Sequence, residues 1–139
     1  MVLAIINGPN LNLLGKREVD IYGNESFESF IEKLKVKFPS VTFEYFESNI
    51  EGELIDAIQR YGFTVDGIIL NPAGYSHTSV AIGDAIAAIK APVVEVHISN
   101  TAAREAFRHL SHVSAKSAGT IIGLGLTGYA LAVQWFLDK

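Results

Sequence analysis

Apolar runs of strand length alternate along this chain with amphipathic segments of helix length. The runs predict strands at residues 2–6, 41–46, 67–70, 93–98 and 120–124, and the segments between them predict helices at 26–38, 51–61 and 79–89, a short one from about 102 and a last one from 127. Such alternation favours an α/β fold, a doubly wound parallel sheet of five strands in the flavodoxin-like order 2-1-3-4-5.

Local signals mark where several of these elements begin and end. Ser26 can cap the first long helix and Pro39 stops it. Gly62 follows the second helix, and Pro92 opens the fourth strand. No linker or repeat interrupts the pattern, so we expect one domain over residues 1–139.

Three polar clusters follow predicted strands directly, at residues 7–23, 71–79 and 95–105. In a parallel α/β sheet, the loops at the carboxyl ends of different strands converge on one crevice. We therefore expect the three clusters to form a single site.

The first cluster lies in a loop of about eighteen residues, far longer than the two to six that usually join a strand to a helix. It contains Asn10, Arg17, Glu18 and Tyr22. A tyrosine acts as a base near neutral pH only if a nearby cation stabilises its phenolate, and Arg17 could supply that charge. The alternative is that both are ordinary solvated loop residues.

The second cluster places Asn71 and His77 after a buried strand, where both can donate hydrogen bonds to a ligand. Thr78 or Ser79 can cap the following helix, whose amino-terminal N–H groups suit an anion such as a carboxylate. Asn71 could instead serve only a turn, and His77 could be a surface residue.

The third cluster has Glu95 and His97 two positions apart on one strand, so their side chains share a face. A carboxylate there can orient the imidazole and favour its protonated form, which makes a good general acid. Arg104 and Arg108, four apart, should share one face of the next helix. The alternative is a half-buried Glu–His pair with two solvated arginines.

Composition removes several functional classes. The chain has 139 residues, no cysteine and a formal charge of −4, which excludes disulfides and thiolate chemistry and gives no general attraction to nucleic acid. No phosphate-binding glycine motif follows the first strand, and the histidines do not have metal-ligand spacing. The apolar amino terminus is too short for a membrane span, so we expect a cytoplasmic protein without cofactor, metal, nucleic-acid or membrane partner.

The last helix has apolar residues on most of its sides, among them Leu131, Val133, Trp135 and Phe136. A helix without a polar face is either deeply buried or packed against another subunit. We therefore expect a homo-oligomer.

Three blocks together resemble type II 3-dehydroquinate dehydratase over essentially the whole chain: NGPNLNLLGKRE followed by YG, NPAGYSHTS, and EVHISN followed by ARE. The resemblance implies a flavodoxin-like subunit, trimers assembled into a dodecamer, and no cofactor. It also implies anti elimination of water from 3-dehydroquinate to give 3-dehydroshikimate, in the shikimate or quinate pathway.

The resemblance also implies roles for individual residues. Tyr22 would be the base with Arg17 beside it, Asn10 would stabilise the enolate through a water, and His97 would be the acid, oriented by Glu95. Substrate would bind to backbone N–H groups of Ile98 and Ser99 and to the side chains of Asn71, His77 and Arg108. Glu18 and Arg104 would support the long first loop, which would act as a lid over the site. Asp84 would approach a neighbouring subunit's site.

The chain departs from the family pattern at Val19, Gly83 and Thr127, where the family usually has proline, arginine and glutamine. None of these is a predicted catalytic position. Two alternative functions remain at this level: a flavodoxin-like module that binds a small acidic ligand without turnover, and another lyase or isomerase acting on a polyhydroxy keto acid.

Overall fold

The five predicted strands form one parallel sheet in a computed structural model that describes residues 1–16 and 18–139. The strands are β1 (Val2–Asn7), β2 (Thr42–Glu47), β3 (Gly67–Asn71), β4 (Val93–His97) and β5 (Gly119–Ile122), in the order β2-β1-β3-β4-β5. All four pairings are parallel. The predicted fold class and strand order are confirmed.

In the described residues, five α-helices accompany the sheet: α1 (Val19–Tyr22), α2 (Phe27–Lys37), α3 (Glu51–Tyr61), α4 (Val80–Ala88) and α5 (Thr127–Asp138). Helices α2 and α5 cover one face, where Phe27, Leu34 and Tyr129 are fully or almost fully buried. Helices α3 and α4 cover the other face around Leu54 and Ile82. Burial of apolar surface on both faces is why the central strands are continuously apolar.

The caps of two helices match the sequence signals. The Ser26 hydroxyl accepts from the Ser29 N–H at 3.2 Å at the start of α2, and the Ser79 hydroxyl accepts from the Ile82 N–H at 3.0 Å at the start of α4. Each bond satisfies an N–H that the first turn of a helix cannot satisfy itself.

The strands β1 and β3 end side by side, because Asn7 pairs with Asn71 in the register. The Gly8 N–H donates to the Asn71 carbonyl at 2.7 Å, and a Cβ at position 8 would lie 2.7 Å from the Pro72 carbonyl oxygen. Only glycine allows this close approach of the two backbone segments, so the first and second polar clusters start in contact.

Two segments differ from the sequence prediction. The long first loop contains a 3-10 turn at Leu11–Leu13 and the short helix α1, neither of which was predicted. The single helix predicted from about residue 102 is wrong: 3-10 turns at Thr101–Ala103, Ala106–His109 and Ser114–Lys116 replace it. Arg104 therefore lies in extended backbone between two turns, and it does not share a helical face with Arg108.

No helix in the described part of the chain has both the length and the apolar character needed to cross a membrane.

Candidate active site

The three polar clusters line one cavity of about 190 Å³ at the carboxyl edge of the sheet. Nine of the predicted site residues line it: Asn10, Tyr22, Asn71, His77, His97, Ile98, Ser99, Arg104 and Arg108. Residues from β3, β4 and the first loop thus meet although they are far apart in sequence, as expected at the carboxyl ends of parallel strands.

Three other predicted residues do not line this cavity. Glu95 is fully buried behind His97, Glu18 precedes α1 with a left-handed backbone at φ 40°, and Asp84 is exposed on α4. Arg17 lies outside the residues that the structure describes.

Tyr22 reaches the cavity from the end of α1, and a guanidinium contacts its hydroxyl. Arg104 Nη1 lies 2.9 Å from Tyr22 Oη and donates to it, and the same nitrogen donates to Ser99 Oγ at 3.0 Å. Arg104, expected only to support the lid, therefore places a positive charge directly on the phenol oxygen. A hydrogen bond from a charged donor is stronger than one between neutral groups, so this contact fixes the position of the Tyr22 hydroxyl.

His97 enters the cavity from β4, and Glu95 holds its ring. The carboxylate Oε2 of Glu95 lies 3.5 Å from His97 Nε2, and both side chains are almost completely buried. The two side chains therefore share one face of β4, as the spacing predicted. A buried carboxylate in contact with an imidazole fixes the orientation of the ring.

Ser111 and Ser114 complete the surroundings of Glu95. Their hydroxyls donate to its carboxylate oxygens, with shortest distances of 2.7 and 2.8 Å. Burial alone would raise the pKa of the Glu95 carboxyl, but the His97 contact and the two hydroxyls outweigh it and hold that pKa below its ordinary value. Glu95 therefore stays ionised in its buried position.

His77 lies beside His97, with ring centroids 6.1 Å apart. Its Nδ1 lies 2.7 Å from the Leu110 carbonyl oxygen, which can only accept, so Nδ1 carries the proton and Nε2 remains as an acceptor. Burial lowers the pKa of His77, and the neighbouring His97 and Arg108 act in the same direction. A neutral His77 can accept a hydrogen bond from a hydroxyl group.

Asn71 is held in place by buried hydrogen bonds that connect it to Tyr129 and Asn7. Its Nδ2 donates to Tyr129 Oη at 2.9 Å, and the Tyr129 hydroxyl donates to Asn7 Oδ1 at 2.8 Å. Its Oδ1 accepts from the Ala73 N–H at 3.0 Å, so one N–H of the amide is left to face a ligand. Burial raises the pKa of Tyr129, which keeps its hydroxyl protonated and able to donate.

A model of the family described as dehydroquinase class II matches residues 1–137 of this chain. The chain belongs to the class II dehydroquinase family. A relative from Exiguobacterium sp. named 3-dehydroquinate dehydratase is 50% identical over 139 residues, which cover 99% of this chain and 95% of the relative. One with the same name from Campylobacter jejuni is 52% identical over 140 residues, covering 99% and 88%.

Solved structures agree with this membership. The type II dehydroquinase from Butyrivibrio crossotus superposes with a TM-score of 0.95 at 44% identity, over 99% of this chain and 97% of that one. The family resemblance inferred from the three sequence blocks is confirmed.

The sequence suggested that N–H groups at the start of α4 could hold an anion. The geometry of the cavity does not support this. A 3-10 turn at Ala73–His77 separates β3 from α4, so Ala73, Gly74 and His77 line the cavity and the first turn of α4 does not. Ser79, which caps α4, is 2% exposed and lies away from the lining.

Sequence reasoning missed several residues that shape the site. Ser111, Ser114 and Tyr129 bind site residues from distant segments, so no local motif marks them. A Cβ at Gly83 would lie 2.4 Å from the His112 carbonyl oxygen, so glycine lets the segment that carries Ser111 pack directly on α4. The glycine was recognised as a departure from the family pattern, but its contact could not be foreseen.

Within residues 1–16 and 18–139, no three histidine or acidic side chains are grouped so that they could hold a metal ion.

Proposed function

We propose that this chain is a 3-dehydroquinate dehydratase, a hydro-lyase that converts 3-dehydroquinate to 3-dehydroshikimate by anti elimination of water. Its membership of the class II dehydroquinase family carries the assignment. The geometry supports it, because Tyr22 and His97 line the same cavity.

The reaction requires a base, a stabilised enolate and an acid. The proton on C2, beside the substrate ketone, is weakly acidic, and the C1 hydroxyl is a poor leaving group unless it is protonated. The Tyr22 phenolate takes the C2 proton, and the C2–H electron pair forms an enolate with the ketone. The enolate then expels the C1 hydroxyl, which takes a proton from the His97 imidazolium and leaves as water.

Positive charge beside the Tyr22 oxygen is proposed to help it act as the base. The contact from Arg104 Nη1 supplies one positive charge at the oxygen, and Arg17 is proposed to supply another. Glu95 supplies the opposite charge on the acid side and keeps the His97 ring oriented. The two halves of the site thus carry opposite electrostatic environments for opposite proton transfers.

Asn10 is proposed to stabilise the enolate oxygen through an ordered water. Its side chain makes no capping bond to the 3-10 turn that it precedes, and the residue lines the cavity. A donor held in place before the charge develops stabilises the transition state without reorganising.

The remaining lining residues are proposed to bind the substrate. Backbone N–H groups of Ile98 and Ser99 and the amide of Asn71 would hold the substrate carboxylate. His77 and Arg108 would hold the ring hydroxyls, which agrees with a neutral His77 that has one free acceptor nitrogen. No cofactor or metal is proposed.

The subunit is proposed to be a single cytoplasmic domain that assembles into trimers and then a dodecamer. Leu131, Trp135 and Leu137 on α5 are 36–44% exposed, and Val80 on α4 is 59% exposed. Apolar side chains exposed on two helices favour burial against other subunits. In such an assembly the exposed Asp84 would approach a neighbour's site, as the family resemblance implies.

The direct test is to mix the purified protein with 3-dehydroquinate and follow the absorbance of the conjugated enone. Heat-denatured protein is the control for non-enzymatic elimination. We expect absorbance to rise in proportion to enzyme concentration. Folded protein with no signal would contradict the assignment and favour the non-catalytic ligand-binding module.

A further inference from the structure

We infer that Asn49 is a positioning residue that holds Asn10 in its working conformation. Asn49 lies in the loop between β2 and α3, a segment in which the sequence pattern indicated no site residue and which lies outside the lining of the catalytic cavity. The inference rests on the proposed function, because it assigns Asn49 to the enolate-stabilising part of that same site.

The backbone of Asn10 is unusual and needs external support. Its φ of 69° and ψ of −4° lie in the left-handed region, which a residue other than glycine adopts only at an energetic cost. Asparagine is among the residues that enter this region most readily, but a mobile loop would sample other conformations as well. A particular direction for the Asn10 side chain therefore depends on contacts that fix its backbone.

Two hydrogen bonds fix that backbone on both sides. The Asn10 N–H donates to Asn49 Oδ1 at 2.8 Å, and the Asn10 carbonyl accepts from the Leu13 N–H at 3.1 Å. The second bond is local and forms with the 3-10 turn itself. Of the two bonds, the first ties the Asn10 backbone to a distant part of the fold, so it helps to set where this residue lies relative to the cavity.

Asn49 is itself anchored to the second polar cluster. Its carbonyl oxygen accepts from the Tyr75 hydroxyl at 2.7 Å, and Tyr75 belongs to the same turn as His77. The preceding residue, Ser48, donates its backbone N–H to the Asn7 carbonyl at 3.1 Å. Asn49 therefore connects the loops that carry Asn10 and His77, and a shift of one is transmitted to the other.

The expected consequence is a loss of kcat with little change in KM. Asn10 is proposed to act on charge that exists only in the enolate and its transition states, so its displacement removes an interaction absent from the bound substrate. We expect Asn49→Ala to lower kcat roughly tenfold, because small misplacements of a catalytic group cost one to two orders of magnitude. KM should stay within about twofold of wild type.

Two further variants separate positioning from general destabilisation. Asn49→Asp keeps an oxygen that accepts from the Asn10 N–H, so kcat should remain within about threefold of wild type. Ser48→Ala removes hydroxyl bonds to the Ile50 N–H and to Glu53 in the same loop but leaves the Asn49–Asn10 contact intact. It should lower thermal stability at least as much as Asn49→Ala while leaving kcat unchanged. Asn49→Leu, of similar size but without an acceptor, replaces the alanine variant if that variant does not fold.

A double-mutant cycle makes the test specific. In an Asn10→Ala background, adding Asn49→Ala should change kcat by less than about twofold, since the group that Asn49 positions has been removed. An Asn49→Ala variant with wild-type kcat, or effects that multiply in the double variant, would overturn the inference while wild-type turnover upholds the proposed function. A wild-type protein without turnover would overturn both.

Discussion

The proposed acid and base sides of the cavity are built in different ways. The proposed acid side consists of Glu95, His97, Ser111 and Ser114, and Glu95 and His97 lie on the interior strand β4 with at most 6% exposure. The base side consists of Tyr22, Arg104 and Ser99, and its tyrosine stands on the four-residue helix α1 in the long first loop.

The difference is one of support. On the acid side, sheet hydrogen bonds and burial fix the residues before any substrate arrives. On the base side, α1 contains no buried residue, and the Arg104 contact joins Tyr22 to the segment after β4. Substitutions on the acid side should therefore act without moving a loop, whereas substitutions on the base side should change loop position as well.

The largest expected effect follows from removing the base. Tyr22→Phe deletes one oxygen from the base side and should lower kcat by about 10³-fold or more, because general base catalysis contributes 10²–10⁴-fold. Steady-state kinetics in the enone assay measures kcat, and calorimetric titration with the product measures binding. Binding should stay within a few-fold of wild type, and near-normal kcat would exclude Tyr22 as the base.

Removing the acid should have the next largest effect. His97→Ala leaves the C1 hydroxyl to depart without a proton, so kcat should fall about 10²–10³-fold. Since β4 holds position 97 in the sheet, the variant should remain folded. A measurement of its unfolding temperature checks that the loss of kcat does not come from unfolding. An unchanged kcat would remove His97 from the acid role.

Arg104→Gln tests the contact between Arg104 and Tyr22, which joins the long first loop to the segment after β4. The variant loses the charge on Tyr22 Oη and should lower kcat roughly 10–100-fold, and it should also raise KM because the loop position changes. Arg108→Gln is the matched control, since Arg108 lines the same cavity but its Nε contacts Glu105. If the two variants had the same kcat, the Arg104–Tyr22 contact would have no special role.

The pH dependence of the free energy of unfolding tests whether the ionised Glu95 stabilises the fold. The folded-state pKa of Glu95 is depressed, so its ionised form stabilises the fold above the ordinary value of 4.5, and this contribution is lost as the pH falls through the folded-state pKa. Below pH 4.5, denaturant titrations of Glu95→Gln should therefore show a shallower loss of stability than wild type. Parallel curves would contradict this.

The smallest effect is expected for Ser114→Ala, which removes one of the two hydroxyls that bind Glu95. It should lower the free energy of unfolding by about 1–2 kcal/mol, since a hydrogen bond to a buried charge is lost. Urea denaturation measures the change. Ser117→Ala is the control, because its hydroxyl donates to an uncharged group, the Val113 carbonyl. An equal or larger loss of stability in Ser117→Ala would show that the contact with Glu95 is not the reason.

The strands could be predicted because they depend on local periodicity. Their order and the convergence of the polar clusters followed from the alternation of strands and helices, because parallel sheets obey general rules of connection. Glu95 and His97 share a face, as the two-residue repeat of a strand requires. The turns after β4 could not be predicted, because side-chain contacts such as Ser111 with Glu95 decide their course. The partner of Tyr22 among the described residues, Arg104, lies 82 positions away and leaves no local signal.

Exchange of the C2 proton in D2O tests most directly whether Tyr22 is the base and His97 is the acid. The His97→Ala and Tyr22→Phe variants are each incubated with 3-dehydroquinate, and deuterium at C2 of the unreacted substrate is followed by NMR. His97→Ala, which retains the base, should incorporate deuterium although it barely dehydrates, and Tyr22→Phe should do neither. Exchange by Tyr22→Phe as fast as by His97→Ala would contradict the account.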